Sequence, residues 1–146
     1  EYATDANAAV READVVCTAT TSRTPVFDAA NVRPGTHVNA VGAYTPEMQE
    51  LPADLVANAT VVLDAVEAAL AEAGDLIIPL DQGLVGRDHF GRELGQLVSG
   101  DAPGRTSDDE VTLFKSVGNA VQDVVVGRRA YDRARAEGAG LSFDLG

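Results

Sequence analysis

The residue types most often used in metal binding and nucleophilic catalysis are few in this chain and lie far apart. His37 stands inside an apolar stretch, His89 stands in a glycine-rich stretch, and Cys17 is the only cysteine. A structural zinc site needs several such ligands at short spacing, so we expect no metal centre. We expect His37 to be a hydrogen-bonded core residue, His89 to be solvated, and Cys17 to be a small core residue on a strand.

The usual motifs for phosphate binding and hydrolysis are also missing from the sequence. No G-x-G-x-x-G follows a predicted strand, and there is no Walker-type loop. No serine lies in a nucleophile-elbow sequence. On motifs alone, the chain has no cradle for a nucleotide's phosphates.

Composition and charge narrow the class of protein. The chain has 146 residues and is 45% hydrophobic, which is enough for one domain with a core. Its net charge is −12, from 23 acids against 11 bases, and such a surface repels nucleic acid. No apolar run approaches the roughly 18 residues of a membrane helix, and no signal region is visible at the N-terminus. We therefore expect a cytoplasmic protein that binds neither nucleic acid nor membrane.

Short strands alternate with helices along the chain, and this order predicts an α/β fold with a parallel sheet. The predicted strands cover residues 14–20, 36–43, 61–63 and 111–116. The first of them is a β-branched apolar run, which is typical of a strand buried on both faces. The polar residues that follow it, Thr20 to Ser22, predict a loop at the carboxyl edge of the sheet.

Capping residues and apolar spacing locate the helices. Asp5 is expected to cap a short helix, and Asp64 to cap a helix that Gly74 ends. Thr45 and Pro46 are typical of the start of another short helix. Residues 90–99 have helical spacing, and residues 76–80 are apolar but interrupted by a proline, which leaves their structure open. The last helix is predicted over residues 120–137, with Val121, Val124, Tyr131 and Ala134 on one face.

The most distinctive stretch is residues 104–123, where a Gly-Arg-Thr loop leads into a strand, a Ser-Val-Gly turn and an amphipathic helix. This stretch resembles the late part of the ornithine cyclodeaminase/mu-crystallin family. Four further segments resemble the same family in the correct order, at residues 13–22, 32–43, 64–75 and 94–100. The resemblance therefore extends over nearly the whole chain.

The resemblance implies the C-terminal half of a Rossmann-type, doubly wound parallel sheet plus a C-terminal helix. Residues 1–110 would be the second half of an NAD(P)-binding domain, and residues 111–146 a strand and helix that pack back toward an N-terminal domain. The family's first strand, its glycine loop and its dimerisation region would precede residue 1. The chain would then cover about half of a family member. A cleaved fragment, a split gene product and a degenerate relative all remain open.

The family also implies a cofactor, NAD or NADP, and residues near its nicotinamide half. Thr20 and Thr21 match the loop after the fourth family strand, Val41 and Gly42 the end of the fifth, and Ser116 the turn before the last helix. Each has a plainer interpretation, because a threonine can cap a loop, a glycine can form a turn and Ser116 can cap a helix. Since the diphosphate of a dinucleotide binds at the glycine loop, we expect weak or absent binding without the missing half.

On the substrate side, the resemblance singles out Tyr44, Thr45 and Glu72. Ornithine cyclodeaminases carry an aspartate where this chain has Tyr44, and a tyrosine, with an ordinary pKa of about 10, cannot replace a carboxylate base near neutral pH. Glu72 matches a family glutamate that lines the substrate pocket, although a solvated acid at a helix end is the alternative. We expect Glu72 to be the catalytic residue and Tyr44 and Thr45 to contact an amino-acid-derived substrate.

These matches predict that the complete protein reduces cyclic ketimine carboxylates with NAD(P)H. A carboxylate beside the substrate would stabilise the protonated imine and help to deliver the proton, while the nicotinamide adds hydride to carbon. The alternatives are an ornithine cyclodeaminase-type lyase and a non-catalytic nucleotide-binding or structural remnant. We expect this chain alone to be inactive and to associate, through the exposed edge of strand 15–20, with the missing half or with a second copy.

Overall fold

The structure, a computed structural model, describes residues 2–141 and 143, and its centre is a parallel sheet. The four strands in these residues are β1 (Val15–Thr18), β2 (His37–Ala40), β3 (Thr60–Leu63) and β4 (Thr112–Lys115). Their order across the sheet is β1-β2-β4-β3, and every neighbouring pair is parallel. The predicted α/β fold is confirmed, and each predicted strand is present, mostly in a shorter form.

The described helices precede, connect and follow the strands. They are α1 (Ala6–Glu12), α2 (Ala53–Asn58), α3 (Val66–Glu72), α4 (Gly74–Asp81), α5 (Leu94–Ser99) and α6 (Ala120–Glu137), with 3-10 turns at Ala29–Asn31 and Arg87–Phe90. The Asp5 carboxylate accepts hydrogen bonds from the backbone N–H groups of Asn7 and Ala8, so it caps α1 as predicted. None of the described helices is long and apolar enough to cross a bilayer.

One face of the sheet forms the main core. Val38 and Leu113 are cross-strand partners on this face, and both are buried. They belong to an apolar cluster that also contains Val56 of α2, Ala69 of α3 and Leu76 of α4. Helices α2, α3 and α4 therefore cover this face and fix the positions of the loops around it.

The opposite face of the sheet is less covered. Its residues alternate with the core residues, and on β2 and β4 they are only half-buried, as His37 and Phe114 show. A cavity of about 600 Å³ lies between this face and Leu94 and Leu97 of α5. The sheet thus has one closed and one partly open face.

Strand β1 lies at the edge of the sheet, as expected, but it is not buried on both faces. Val15 is 57% exposed and Cys17 is also exposed, so the expectation of a core cysteine is wrong. The reason is that Val15 and Cys17 are the partners of His37 and Asn39 on β2, so their side chains lie on the partly open face of the sheet. The outer edge of β1 is also open, because β1 pairs only with β2 among the described strands. An apolar β-branched run identifies a strand, but it does not say whether both of its faces are covered.

Helix α6 has the bounds that the sequence predicted, and its apolar side has no cover. Val121, Val124 and Tyr131 are all more than half exposed, and α6 has no buried residue. Its N-cap is Asn119, whose side chain accepts a hydrogen bond from the N–H of Val121, so the interpretation of Ser116 as the cap is wrong. Gly138 ends the helix in the left-handed conformation, with φ of 65°.

Three of the predicted helix boundaries in the middle of the chain are wrong. Thr45 and Pro46 form a turn, closed by a hydrogen bond from the Met48 N–H to the Thr45 carbonyl, and the nearest helix starts at Ala53. Gly74 does not end a helical segment but begins α4, which continues through Pro79. The Gly74 N–H donates to the Thr45 carbonyl, so this contact ties the start of α4 to the turn after β2. Residues 90–93 precede α5 and are not α-helical.

Candidate active site

The candidate site is the carboxyl edge of the sheet, where the loops after all four strands meet. In open α/β sheets, ligands bind outside the carboxyl ends of the strands. Thr20 and Thr21 follow β1, Val41 and Gly42 follow β2, and Ser116 follows β4, so the five predicted cofactor residues share this edge. Backbone hydrogen bonds from Val41 N–H to the Thr18 carbonyl and from Ser116 N–H to the Ala40 carbonyl hold neighbouring strand ends in register.

Glu50 joins the ends of β1 and β2, and the sequence analysis missed it. Its fully buried carboxylate accepts hydrogen bonds from the Thr20 N–H at 2.5 Å, the Gly42 N–H at 2.9 Å and the Ala43 N–H at 3.2 Å. The Thr18 hydroxyl donates to it at 3.0 Å. Burial alone would raise the pKa of Glu50, but hydrogen bonds from Thr20, Thr18 and Gly42 outweigh it and lower the pKa.

Gly42 has to be a glycine because of this carboxylate. A Cβ at this position would overlap the backbone of Thr20 and the Oε1 atom of Glu50. Its backbone does not adopt the left-handed conformation, so turn formation is not the reason for the residue. The glycine therefore allows a close approach between two loops of the protein itself, and contact of Gly42 with a cofactor stays a prediction.

Asp64, which follows β3, binds the turn after β4, much as Glu50 binds the loops after β1 and β2. Its Oδ2 atom accepts hydrogen bonds from the Ser116 hydroxyl at 2.6 Å and from the N–H groups of Val117 and Gly118, each at 3.1 Å. The residue at the N-cap position of α3 is Ala65, so the prediction that Asp64 caps this helix is wrong. Gly118 has φ of 95°, a conformation that few other residues adopt, and this lets the turn wrap around the carboxylate.

A buried ion pair lies below the edge. Lys115, the last residue of β4, places its Nζ atom 3.3 Å from Oδ2 of Asp75 in α4, and both side chains are fully buried. The other carboxylate oxygen of Asp75 accepts hydrogen bonds from the backbone N–H groups of Glu50 at 2.7 Å and Leu51 at 2.9 Å. Burial raises the pKa of Asp75, while the Leu51 N–H and the Lys115 charge oppose this rise.

The predicted substrate residues lie on two segments that the fold brings together. Tyr44 is 51% exposed and Thr45 is half-buried in the turn after β2. Glu72 is exposed at the end of α3, two residues before Gly74, whose N–H binds the Thr45 carbonyl. Within the described residues, no hydrogen bond or ion pair holds the Glu72 carboxylate. Glu72 therefore lies close in the fold to the turn that carries Tyr44 and Thr45.

The loop after β1 presents its threonines to solvent. Thr20 and Thr21 are exposed, and the Thr20 hydroxyl accepts a hydrogen bond from the Ser22 N–H at 3.2 Å, which matches the loop-cap interpretation. Beside them, Val41 is 47% exposed at the end of β2. The edge thus offers an accessible surface with both polar and apolar side chains.

The two histidines lie away from this edge. His37, at the amino end of β2, makes hydrogen-bonding contacts through Nδ1 with the Thr112 hydroxyl at 2.8 Å and through Nε2 with Oδ1 of Asn39 at 3.2 Å. His89 is half-buried, and its Nε2 lies 2.8 Å from the Val56 carbonyl, so the prediction that it is solvated is wrong. In the described part of the chain, no group of acidic, histidine or cysteine side chains could hold a metal ion.

Glu50, Asp64 and Asp75 are parts of the site that the motifs in the sequence did not indicate. A local signal existed for Glu50 and Asp75, because each acid stands directly before a leucine in a stretch that enters the core. Their partners are distant in the sequence, since Thr18 lies 32 residues from Glu50 and Glu50 lies 25 residues from Asp75. Only the folded chain shows that these carboxylates bind loop backbones.

Comparison with known proteins places the chain in a family. A sequence model of the Ornithine cyclodeaminase/mu-crystallin family matches residues 1–138. The chain belongs to this family. Its similarity to a Delta(1)-pyrroline-2-carboxylate reductase of Bacillus cereus is 51% identity over 97% of the chain and 44% of that protein. Mouse ketimine reductase mu-crystallin is 41% identical over 85% of the chain and 37% of its own length.

Solved structures of family members agree with the fold. The Delta(1)-pyrroline-2-carboxylate reductase of Thermococcus litoralis, in complex with NADH and L-proline, superimposes with a TM-score of 0.88. It shares 37% identity, and the match covers 97% of this chain and 44% of that one. The chain thus spans less than half the length of the relatives it matches. The family and the α/β fold implied by the sequence are confirmed.

Proposed function

We propose that the complete protein containing this chain is an NAD(P)H-dependent reductase of cyclic imine carboxylates. The observation that carries the proposal is the 51% identity, along nearly the whole chain, to a Delta(1)-pyrroline-2-carboxylate reductase. The carboxyl edge of the sheet supports it, because its four loops are held by buried or hydrogen-bonded carboxylates and still leave Thr20, Val41 and Tyr44 accessible.

The residues at this edge fit the nicotinamide half of a dinucleotide. Val41 offers an apolar surface for a ring, and the exposed Thr20 and Thr21 offer hydroxyl groups beside it. The diphosphate has no comparable place, because the sequence contains no glycine loop of the dinucleotide-binding type. We therefore infer that this chain alone binds NAD(H) or NADP(H) weakly, and that the rest of the site comes from the missing half or from a second copy.

When bound, the reduced nicotinamide would supply a hydride to the imine carbon. The exposed Glu72 carboxylate, on the segment that Gly74 ties to the Thr45 carbonyl, would stabilise the positive charge on the protonated imine nitrogen. Tyr44 and Thr45 would contact the substrate and shield the imine from water. Ser116 would help to form the floor of the site, since its hydroxyl is fixed by Asp64 at 2.6 Å.

Tyr44 favours reduction over ornithine cyclodeamination. It occupies the position after β2 where the lyases carry an aspartate, and a phenol is a poor base near neutral pH. Hydride addition to a preformed imine requires no base to activate an amine. The substrate class we propose is therefore a five- or six-membered cyclic imine with a carboxylate next to the C=N bond.

The test is an assay of the complete reading frame that encodes this chain. NADH and NADPH oxidation are followed with 1-pyrroline-2-carboxylate, beside ammonia release from ornithine. We expect imine-dependent oxidation of one or both nucleotides and little ammonia. Rapid ornithine deamination would instead support the lyase, and neither activity would support a non-catalytic remnant.

A further inference from the structure

The Lys115–Asp75 ion pair and Glu50 form one continuous buried connection from the end of β4 to the loops after β1 and β2. Lys115 contacts Asp75, Asp75 binds the backbone of Glu50 and Leu51, and the Glu50 carboxylate binds the loops after β1 and β2. No hydrogen bond in the described residues engages Lys115 Nζ or Asp75 Oδ2, so the two charged atoms depend on each other.

Such a pair is not explained by stability alone. Removing two charges from water costs several kcal/mol per ion, and a buried pair often stabilises a fold no better than apolar residues of the same size. A charge pair does, however, fix the orientation of its two side chains. The ammonium attracts one oxygen of Asp75, and this turns the other oxygen toward the two N–H groups at the start of the Glu50–Leu51 segment.

We propose that Lys115 and Asp75 are positioning residues, which hold the backbone at Glu50 so that its carboxylate sets the spacing of the loops after β1 and β2. This inference rests on the proposed function only in its last step, because those loops carry Thr20, Thr21 and Val41, the residues proposed to contact the nicotinamide. Lys115 and Asp75 themselves are fully buried and touch neither substrate nor cofactor.

The chemistry of asparagine gives a selective test. A carboxylate accepts hydrogen bonds at both ends, whereas the side-chain amide of asparagine accepts at one end and donates at the other. In Asp75→Asn, the side-chain NH₂ group therefore faces other donors, which are either the Lys115 ammonium or the Glu50 and Leu51 N–H groups. In the double variant Asp75→Asn/Lys115→Met the ammonium is gone, and the amide oxygen can accept from both N–H groups again.

Hydrogen exchange of the chain, followed by NMR, measures the loops directly. We expect Asp75→Asn to accelerate exchange of the Thr20, Gly42 and Ala43 amides by roughly tenfold relative to Val117 and Gly118, which Asp64 holds. The double variant should return this ratio to about the wild-type value. Equal acceleration in both sets of amides, or no recovery in the double variant, would overturn the proposal.

Kinetics of the complete protein then test the last step. We expect Asp75→Asn to raise KM for the reduced nucleotide by roughly tenfold and KM for the imine much less, with recovery in the double variant. Glu67→Gln, which breaks the exposed ion pair with Arg87, is the matched control and should change neither value. An unchanged nucleotide KM in Asp75→Asn would contradict the link to the cofactor loops. A wild-type protein without imine reduction would overturn the proposed function, while the exchange result would still decide the positioning role.

Discussion

The Gly42 N–H donates a hydrogen bond of 2.9 Å to the Glu50 carboxylate, and a methyl group on Gly42 would overlap that same carboxylate. The two residues therefore depend on each other. The glycine leaves room for a buried acid, and the acid accepts hydrogen bonds from backbone N–H groups after two neighbouring strands. A loop that could have been mobile is thus bound to the core.

Replacing Glu50 by glutamine should destabilise the chain. The amide has one acceptor oxygen for the three N–H groups and one hydroxyl that the carboxylate binds, and its NH₂ group would face donors. We expect a loss of about 2–4 kcal/mol in the free energy of unfolding, measured by urea denaturation. Glu47→Gln, on the exposed turn nearby, is the control and should change it by less than about 0.5 kcal/mol. Equal stability of the two variants would contradict the role of Glu50.

Replacing Gly42 by alanine should also be costly, for a steric reason. The new methyl group would overlap the Thr20 backbone and the Glu50 carboxylate and force them apart. We expect a loss of about 1–3 kcal/mol or more in thermal or urea unfolding. Gly95→Ala is the opposite case, because its Cβ meets no atom within 4 Å and it lies inside α5. That variant should gain about 0.5–1 kcal/mol from helix propensity.

The acid stability of the chain should depend on Glu110. Hydrogen bonds from the Thr60 hydroxyl and the Thr106 N–H lower the pKa of Glu110 from 4.5 to about 2. A carboxylate whose pKa is lower in the folded than in the unfolded state contributes stability above the unfolded value and loses it as the pH falls through the folded one. Wild-type stability should therefore decline between pH 4.5 and about 2 more steeply than that of Glu110→Gln, in urea titrations at each pH. Parallel curves for the two proteins would show that Glu110 does not contribute.

The chain alone should associate through the open edge of β1. This strand pairs only with β2 in the described sheet, and it has unpaired backbone groups beside the exposed Val15. Light scattering over a range of concentrations should show dimers or larger species. Val15→Lys places a charge at this edge and should shift the population toward monomers, whereas Val98→Lys, at a side chain 83% exposed on α5, should not. A wild-type chain that is monomeric at every concentration would argue against this edge as an interface.

The features that the sequence predicted well are those decided by neighbouring residues. The cap at Asp5 and the bounds of α6 follow from side chains within a few positions of each other. The turn at Thr45 was mistaken for a helix because its carbonyl binds the N–H of Gly74, far along the chain. Tertiary contacts override local preference at such places.

In the candidate site, too, local features were predictable and tertiary contacts were not. The sequence predicted that Thr20, Gly42 and Ser116 follow strands, and the parallel sheet brings them to one edge. It did not show that Glu50 and Asp64 hold these loops, because an acid that accepts backbone hydrogen bonds has no repeating pattern in the sequence. Their burial and partners depend on the packing of α4 and of the loops around the sheet.

In the chemistry proposed for the complete protein, Glu72 has the main role. Its side chain is exposed at the end of α3, two residues before Gly74, whose N–H binds the Thr45 carbonyl. Because it would stabilise the protonated imine, Glu72→Gln should lower kcat for reduction of 1-pyrroline-2-carboxylate by roughly 10²–10⁴, with little effect on the unfolding free energy. Glu67→Gln changes an exposed acid on the same helix and should leave kcat unchanged. A pH profile of kcat tests whether Glu72 delivers the proton or only binds the substrate. Loss of a proton-delivering group alters the shape of the profile, whereas loss of a binding contact alters only KM. Unchanged imine reduction in Glu72→Gln would show that another group of the complete protein supports the iminium.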